Sequence, residues 1–199
     1  VNKKEEQMER FADKLTEKLV LHQIIKYEDK ELYSYGIWQG ILLLFNILTA
    51  MVISCLFGML WQGVVFTVTY AFLRTHAGGY HSRTATKCYF FSIVLLSGAL
   101  SLIKFAPWNN IGIMISLLLS GTIILALSPV EDENKKLDET ERSVFKKRTK
   151  SIFFILTILV LLANRTGQSA ISICITMSIC TSAFMLILGE IKNRTIKKG

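Results

Sequence analysis

The chain has 199 residues, 51% of them hydrophobic and 19% charged, with a formal net charge of +8. A mean hydropathy of +0.42, with the apolar residues gathered into long blocks, excludes an ordinary soluble domain, which mixes charge among its apolar positions. In such a chain the basic excess reads as an orientation signal for a membrane protein, and no nucleic-acid partner is expected.

The first 36 residues carry both signs of charge and lack the short apolar core of a secretory signal. Phe11, Leu15, Leu19, Leu21 and Ile25 recur near helical spacing across residues 3–30, which predicts an amphipathic helix lying on the membrane surface. Residues 37–73 contain no charged residue. As one helix they would reach roughly 55 Å against a hydrocarbon core of about 30 Å. The run must therefore fold back, and Gly58 with Trp61-Gln62-Gly63 is the expected reversal. Spans are expected at 37–56, 57–73, 89–105, 111–127, 151–163 and 170–188, with a turn at 106–110 and polar links at 130–150 and 164–169. Gln39, Asn46 and Gln62 are expected to bond between helices.

The fold class is thus an all-α polytopic membrane protein with about six transmembrane helices and an N-terminal amphipathic interfacial helix. One integral membrane domain, 1–199, divides into the surface segment 1–36, a six-span bundle 37–190 and a basic tail 191–199. The bundle contains a motif segment 74–88 and a basic loop 130–150. With the amino terminus inside, 21 of the 23 Lys and Arg fall on the inner side, and only Lys104 and Arg165 lie outside. Both termini and residues 74–88 are therefore expected to face the cytoplasm.

Residues 74–88 are polar and glycine-bearing between two apolar runs, and hold two of the three histidines, His76 and His81, with Cys88. Cys55, Cys174 and Cys180 lie in apolar runs as small hydrophobes, so no disulfide framework is read. A cysteine attacks as thiolate and needs a base, positive charge or a helix amino terminus. His81, the cations Arg74, Arg83 and Lys87, and the start of span three offer these, with Thr84 or Thr86 as helix cap. Seven residues of straight helix would separate His81 from Cys88 by about 10 Å. His81 must then sit on a loop, for which Gly78-Gly79 gives the backbone freedom. An interfacial loop with an unrelated His and Cys has the same composition. His76, His81 and Cys88 also make a three-ligand zinc set, but no paired ligand signature accompanies them. No metal and no cofactor is expected. His22 reads as an ordinary residue of the surface helix.

Arg74, Gly78, Gly79, His81 and Cys88 between two spans resemble the motif of AgrB, the accessory gene regulator B family of quorum-sensing peptide-processing enzymes. A second stretch, Ser128-Pro129-Val130-Glu131-Asp132-Glu133-Asn134-Lys135, resembles that family's loop after the fourth span. The resemblance covers nearly the whole chain. It implies a thiol protease of the bacterial cell membrane, with Cys88 as nucleophile and His81 as base. The substrate implied is an AgrD-type precursor with an acidic C-terminal tail. Cleavage through a Cys thioester would lead to thiolactone or lactone closure of an autoinducing peptide. A homodimer is also implied. Arg74, Gly78 and Gly79 become candidates for shaping the site, while Tyr80 is taken as a variable position. Lys146, Lys147 and Arg148, with Lys150, Lys135 and Lys136, either hold the acidic tail or set topology and bind anionic lipid. Nothing in the sequence names a third catalytic residue. A small transporter or a non-enzymatic scaffold is the competing class, although no span carries the paired charges of a transport path.

Overall fold

The computed structural model describes residues 3–80, 84–131 and 137–196. Helix α1 spans Lys3–Leu21 and packs on the start of α2, Lys30–Leu56. The hairpin partner α3 is Leu60–Ala77, followed by α4 Ala85–Phe105, α5 Asn110–Leu127, α6 Glu139–Arg165 and α7 Ser169–Ile196. Helices α2–α7 follow the six expected apolar blocks to within a few residues at their apolar ends, and the protein is an all-α polytopic membrane protein. Among the described residues, α2, α4, α5 and α7 are long and apolar enough to cross a membrane. Helices α3 and α6 are more polar, and both pack against α7 inside the bundle.

Helix α7 is the axis. Of its most apolar window 61% is buried, against 6% for that of α2 at the edge. The sequence explains this, because α7 presents Ser172, Thr176, Ser178 and Ser182 to its neighbours. Small side chains let helices approach closely where no water competes. The Ser178 hydroxyl contacts the Cys174 carbonyl on its own helix at 2.9 Å and the Phe66 carbonyl of α3 at 3.0 Å. A cluster of Leu73, Leu117, Ile124, Phe153, Ile179 and Leu186 joins α3, α5, α6 and α7.

Several expected boundaries move. Helix α1 stops at Leu21, short of Ile25, and Gln23 turns the chain at φ 56°. His22 therefore lies in the turn beyond the helix. Among the side chains described in α1, Ala12 and Thr16 are buried, while Phe11 and Leu15 are exposed. Lys30 bonds Glu17 at 2.9 Å and Ser34 bonds Asp13, fixing α1 to α2. The first reversal is confined to 57–59, where Gly58 takes φ 67° and Lys104 donates to the Phe57 carbonyl at 2.9 Å. Trp61-Gln62-Gly63 belongs to α3 instead. Gly63 permits a close crossing, since a Cβ there would lie 1.9 Å from Ser54 Oγ. Asn46 bonds the Leu42 carbonyl of its own helix, not a neighbour. The basic loop is shorter than 130–150, because α6 begins at Glu139. Asp138 accepts from the Glu141 amide at 2.6 Å and the Glu141 side chain answers at 3.3 Å, a capping box that starts the helix among charges.

Candidate active site

Helix α3 ends at Ala77 because Gly78 takes φ 74°, which a side chain disfavours. Gly79 follows at φ 121°. The next residues run between two other parts of the chain. The Val130 amide donates to Ala77 O at 3.0 Å, and the Gly79 amide donates to Val130 O at 3.3 Å. The Tyr80 amide donates to Met185 O of α7 at 2.9 Å. A Cβ on Gly78 would fall 2.1 Å from Val130 O, and one on Gly189 would fall 2.7 Å from the Gly79 carbonyl carbon. The guanidinium of Arg74 donates to the carbonyls of Gly78 and Tyr80. Residues 77–80 are thus held by α3, by the link after α5 and by α7. The glycine pair serves close backbone approach as well as a change of direction.

The second motif stretch meets the first at this point. Gly78 and Val130 form an isolated parallel bridge. Asn193 of α7 donates to the Glu131 carbonyl at 2.8 Å, and the Glu131 carboxylate lies 3.9 Å from Arg142 of α6. The link after α5 therefore ties one end of the bundle together around the glycine pair.

Cys88 sits in the first turn of α4. Thr84 is the cap, its hydroxyl accepting from the Lys87 amide at 3.4 Å, and the Cys88 amide donates to Thr84 O at 3.1 Å. The thiol is free and half-buried. It lines a cleft of ≈ 530 Å³ between α2, α3 and α4, together with Tyr70, Arg74 and Tyr80. The Tyr80 ring packs on Phe91 of α4 at 5.5 Å, and Lys192 Nζ of α7 stands 5.8 Å from its centre. The Thr49 and Tyr89 hydroxyls, 2.6 Å apart, join α2 to α4.

Arg74, Gly78, Gly79 and Cys88 therefore gather at one end of the bundle. His81 lies outside the described residues, as do Arg83, Lys135 and Lys136. His76 does not join Cys88 along the cleft wall. It contacts the Phe72 carbonyl at 3.2 Å and the Thr75 hydroxyl at 3.0 Å, and packs on Phe145 of α6 at 6.0 Å. Lys146, Lys147 and Arg148 are exposed on the early turns of α6, which lie against α3. Met185, Gly189 and Lys192 escape the sequence reading, Tyr80 entered it only as a variable position, and Val130 only as part of the second motif stretch. Val130 and Met185 act through backbone atoms, which leave no residue signature. Gly189 carried a signal, as a glycine inside an apolar helix marks close approach.

An all-α polytopic membrane protein with a free cysteine at the head of a helix, beside a glycine-built backbone junction, defines the class. The chain matches the family described as Accessory gene regulator B over residues 8–186 and belongs to that family. It is 22% identical over 192 residues to a "Putative AgrB-like protein" of Halalkalibacterium halodurans, covering 96% of this chain and 95% of the relative. It is 25% identical over 140 residues to "Putative AgrB-like protein 1" of Clostridium perfringens, covering 66% of this chain and 74% of the relative. No solved structure matches. Family membership connects the chain to agr quorum-sensing peptide processing and implies an AgrD-type peptide as its substrate.

Proposed function

We propose that this protein is a membrane cysteine endopeptidase that removes the acidic tail of an AgrD-type precursor and passes the retained segment through a thioester on Cys88 into a ring. The observation that carries this reading is the position of Cys88. It is half-buried in the first turn of α4 and lines the same cleft as Arg74 and Tyr80, the residue before His81.

His81 takes the thiol proton as the sulfur attacks the carbonyl of the residue just ahead of the tail, forming a C–S bond. The tetrahedral adduct collapses, the C–N bond breaks, and His81 returns the proton to the leaving amine. A thiol or hydroxyl of the bound segment then attacks the thioester. Its proton passes to His81 and on to the departing Cys88 sulfur, so enzyme and base end as they began. Thioester-to-thiolactone exchange is nearly balanced in energy, whereas hydrolysis is strongly downhill. A site that excludes water therefore favours the ring, and tethering both groups raises their effective concentration. Arg74 shapes the site by fixing the Gly78 and Tyr80 carbonyls. The asymmetry of 21 of 23 Lys and Arg supports a cytoplasmic motif segment and cytoplasmic termini.

The test is reconstitution in lipid vesicles with a synthetic AgrD-type precursor, reading tail release and a Cys88-linked acyl species. Cys88→Ala is expected to abolish both, and His81→Ala to slow tail release by about 10²-fold or more. Tail release retained by Cys88→Ala would end the assignment. A reporter fused at residue 82 is expected inside the cell, and its appearance outside would overturn the orientation.

A further inference from the structure

The cleft beside Cys88 extends far beyond the reacting thiol. It follows α3 from Thr75 to Gly63, about 18 Å at ~1.5 Å per residue. Away from Cys88, Arg74 and Tyr80 its walls are largely aliphatic, among them Ile47 and Ile53 of α2, Val68 and Ala71 of α3, and Leu95 of α4. One end is therefore polar and reactive, and the other is a slot in the helix bundle.

A peptide could occupy the cleft in three ways, and size and polarity separate them. A helix is ~10–12 Å wide, and α2 already packs against both α3 and α4, so a further helix laid along the cleft would have to part those pairs. An extended backbone deep in the slot would leave amides and carbonyls without partners, at several kcal/mol each. Apolar side chains entering from a backbone that stays at the polar end meet neither objection. Charged residues are excluded from the slot. Lys192 Nζ of α7 stands 5.8 Å from the Tyr80 ring and is not among the residues that line the cleft. An acidic tail therefore belongs outside and the apolar side chains inside.

Resting on the reading of Cys88 as nucleophile, we infer that this cleft is the acyl-side specificity pocket. It takes the bulky apolar side chains of the residues just ahead of the cleaved bond, sets the carbonyl against Cys88, and covers the thioester from water. The pocket makes recognition two-sided, apolar before the bond and acidic after it.

Two synthetic precursors test this, one with Leu-Phe immediately ahead of the cleaved bond and one with Ser-Ser there. In vesicles of phosphatidylcholine and phosphatidylglycerol, wild-type protein is expected to prefer the Leu-Phe peptide by about 10–100-fold in kcat/KM, the range that small changes in an apolar pocket give. Ala71→Trp fills the slot and is expected to bring that preference toward unity. An unchanged preference would overturn the inference. A photoreactive benzoyl-phenylalanine replacing Ile47 in Cys88→Ala protein gives a second reading. An adduct on the Leu-Phe segment supports the pocket, and adducts with lipid alone overturn it. The two hypotheses fail separately. Tail release by Cys88→Ala protein would end the nucleophile assignment, whereas a Cys88-linked acyl species with lipid-only adducts would end the pocket.

Discussion

Two glycine substitutions isolate the backbone junction from ordinary helix energetics. Gly98 lies on the exposed face of α4, where an added Cβ meets nothing within 4 Å. Gly98→Ala is expected to stabilise the protein by up to about 0.5–1 kcal/mol through reduced backbone entropy. Gly189 is also helical, so the same gain applies there. Its Cβ, however, would stand 2.7 Å from the Gly79 carbonyl carbon and 2.8 Å from the Tyr80 amide nitrogen. Ordinary contact begins near 3.4 Å, so the 2.7 Å approach demands a shift of about 0.7 Å. The atoms in the way are main chain and are tied to Met185 and Val130. Overpacking of this kind costs typically 1–3 kcal/mol, which outweighs the helix gain.

The catalytic consequence is larger than the stability change, because a misplacement of about 1 Å can cost 10²-fold in rate. Gly189→Ala is therefore expected to melt below wild type and to lose at least about 10-fold in precursor cleavage. Gly98→Ala should melt at or above wild type with full cleavage. Thermal unfolding in detergent and tail release in vesicles measure the pair. If Gly189→Ala matches Gly98→Ala in both, the junction does not control the site.

Arg74→Lys keeps the charge but not the planar fork that serves two carbonyls; cleavage should fall by about 10-fold or more, and kcat/KM equal to wild type would remove Arg74 from the site. Asp138→Ala deletes the cap of α6, and the midpoint of unfolding should fall by the equivalent of about 1 kcal/mol, with cleavage unaffected well below that midpoint; an unchanged midpoint would refute the capping contribution. Replacing Lys146, Lys147 and Arg148 together by Gln should raise the KM of an acidic-tailed precursor several-fold at low salt, the difference shrinking as salt screens exposed charge. Each single change should do little, and an unchanged KM in the triple variant at low salt would leave this cluster no part in tail binding.

The helices were legible because apolar blocks longer than one membrane thickness have few other uses. Their ends were less legible wherever a helix continues into charge. Hydropathy stops at residue 37, yet α2 begins at Lys30. It starts span five at residue 151, yet α6 begins at Glu139. In the second case Asp138-x-x-Glu141 was a readable cap signal. The charged run around it pointed to a loop, but exposed lysines are fully compatible with helix. Trp61-Gln62-Gly63 misled for a related reason. The glycine there serves contact with Ser54, not reversal, and a residue type alone does not separate the two.

The site was legible as residues but not as an assembly. Gly78-Gly79 and Ser128-Pro129-Val130 stand about 50 residues apart in sequence, and nothing in either names the other. They meet through backbone atoms, and Met185 joins them the same way. This divides the labour of the motif. Cys88 stands on a capped helix, which is stiff. Residues 78–80 are irregular and gain their order from α3, the link after α5 and α7 together. Placement of Cys88 is thus local, whereas that of residues 77–80 is borrowed from distant parts of the chain. Residues such as Gly189 and Val130 should then govern the rate through the placement of residues 77–80 while Cys88 keeps its own position. Alkylation of Cys88 by a small thiol reagent is correspondingly expected to proceed at the wild-type rate in Gly189→Ala protein even where precursor cleavage is lost.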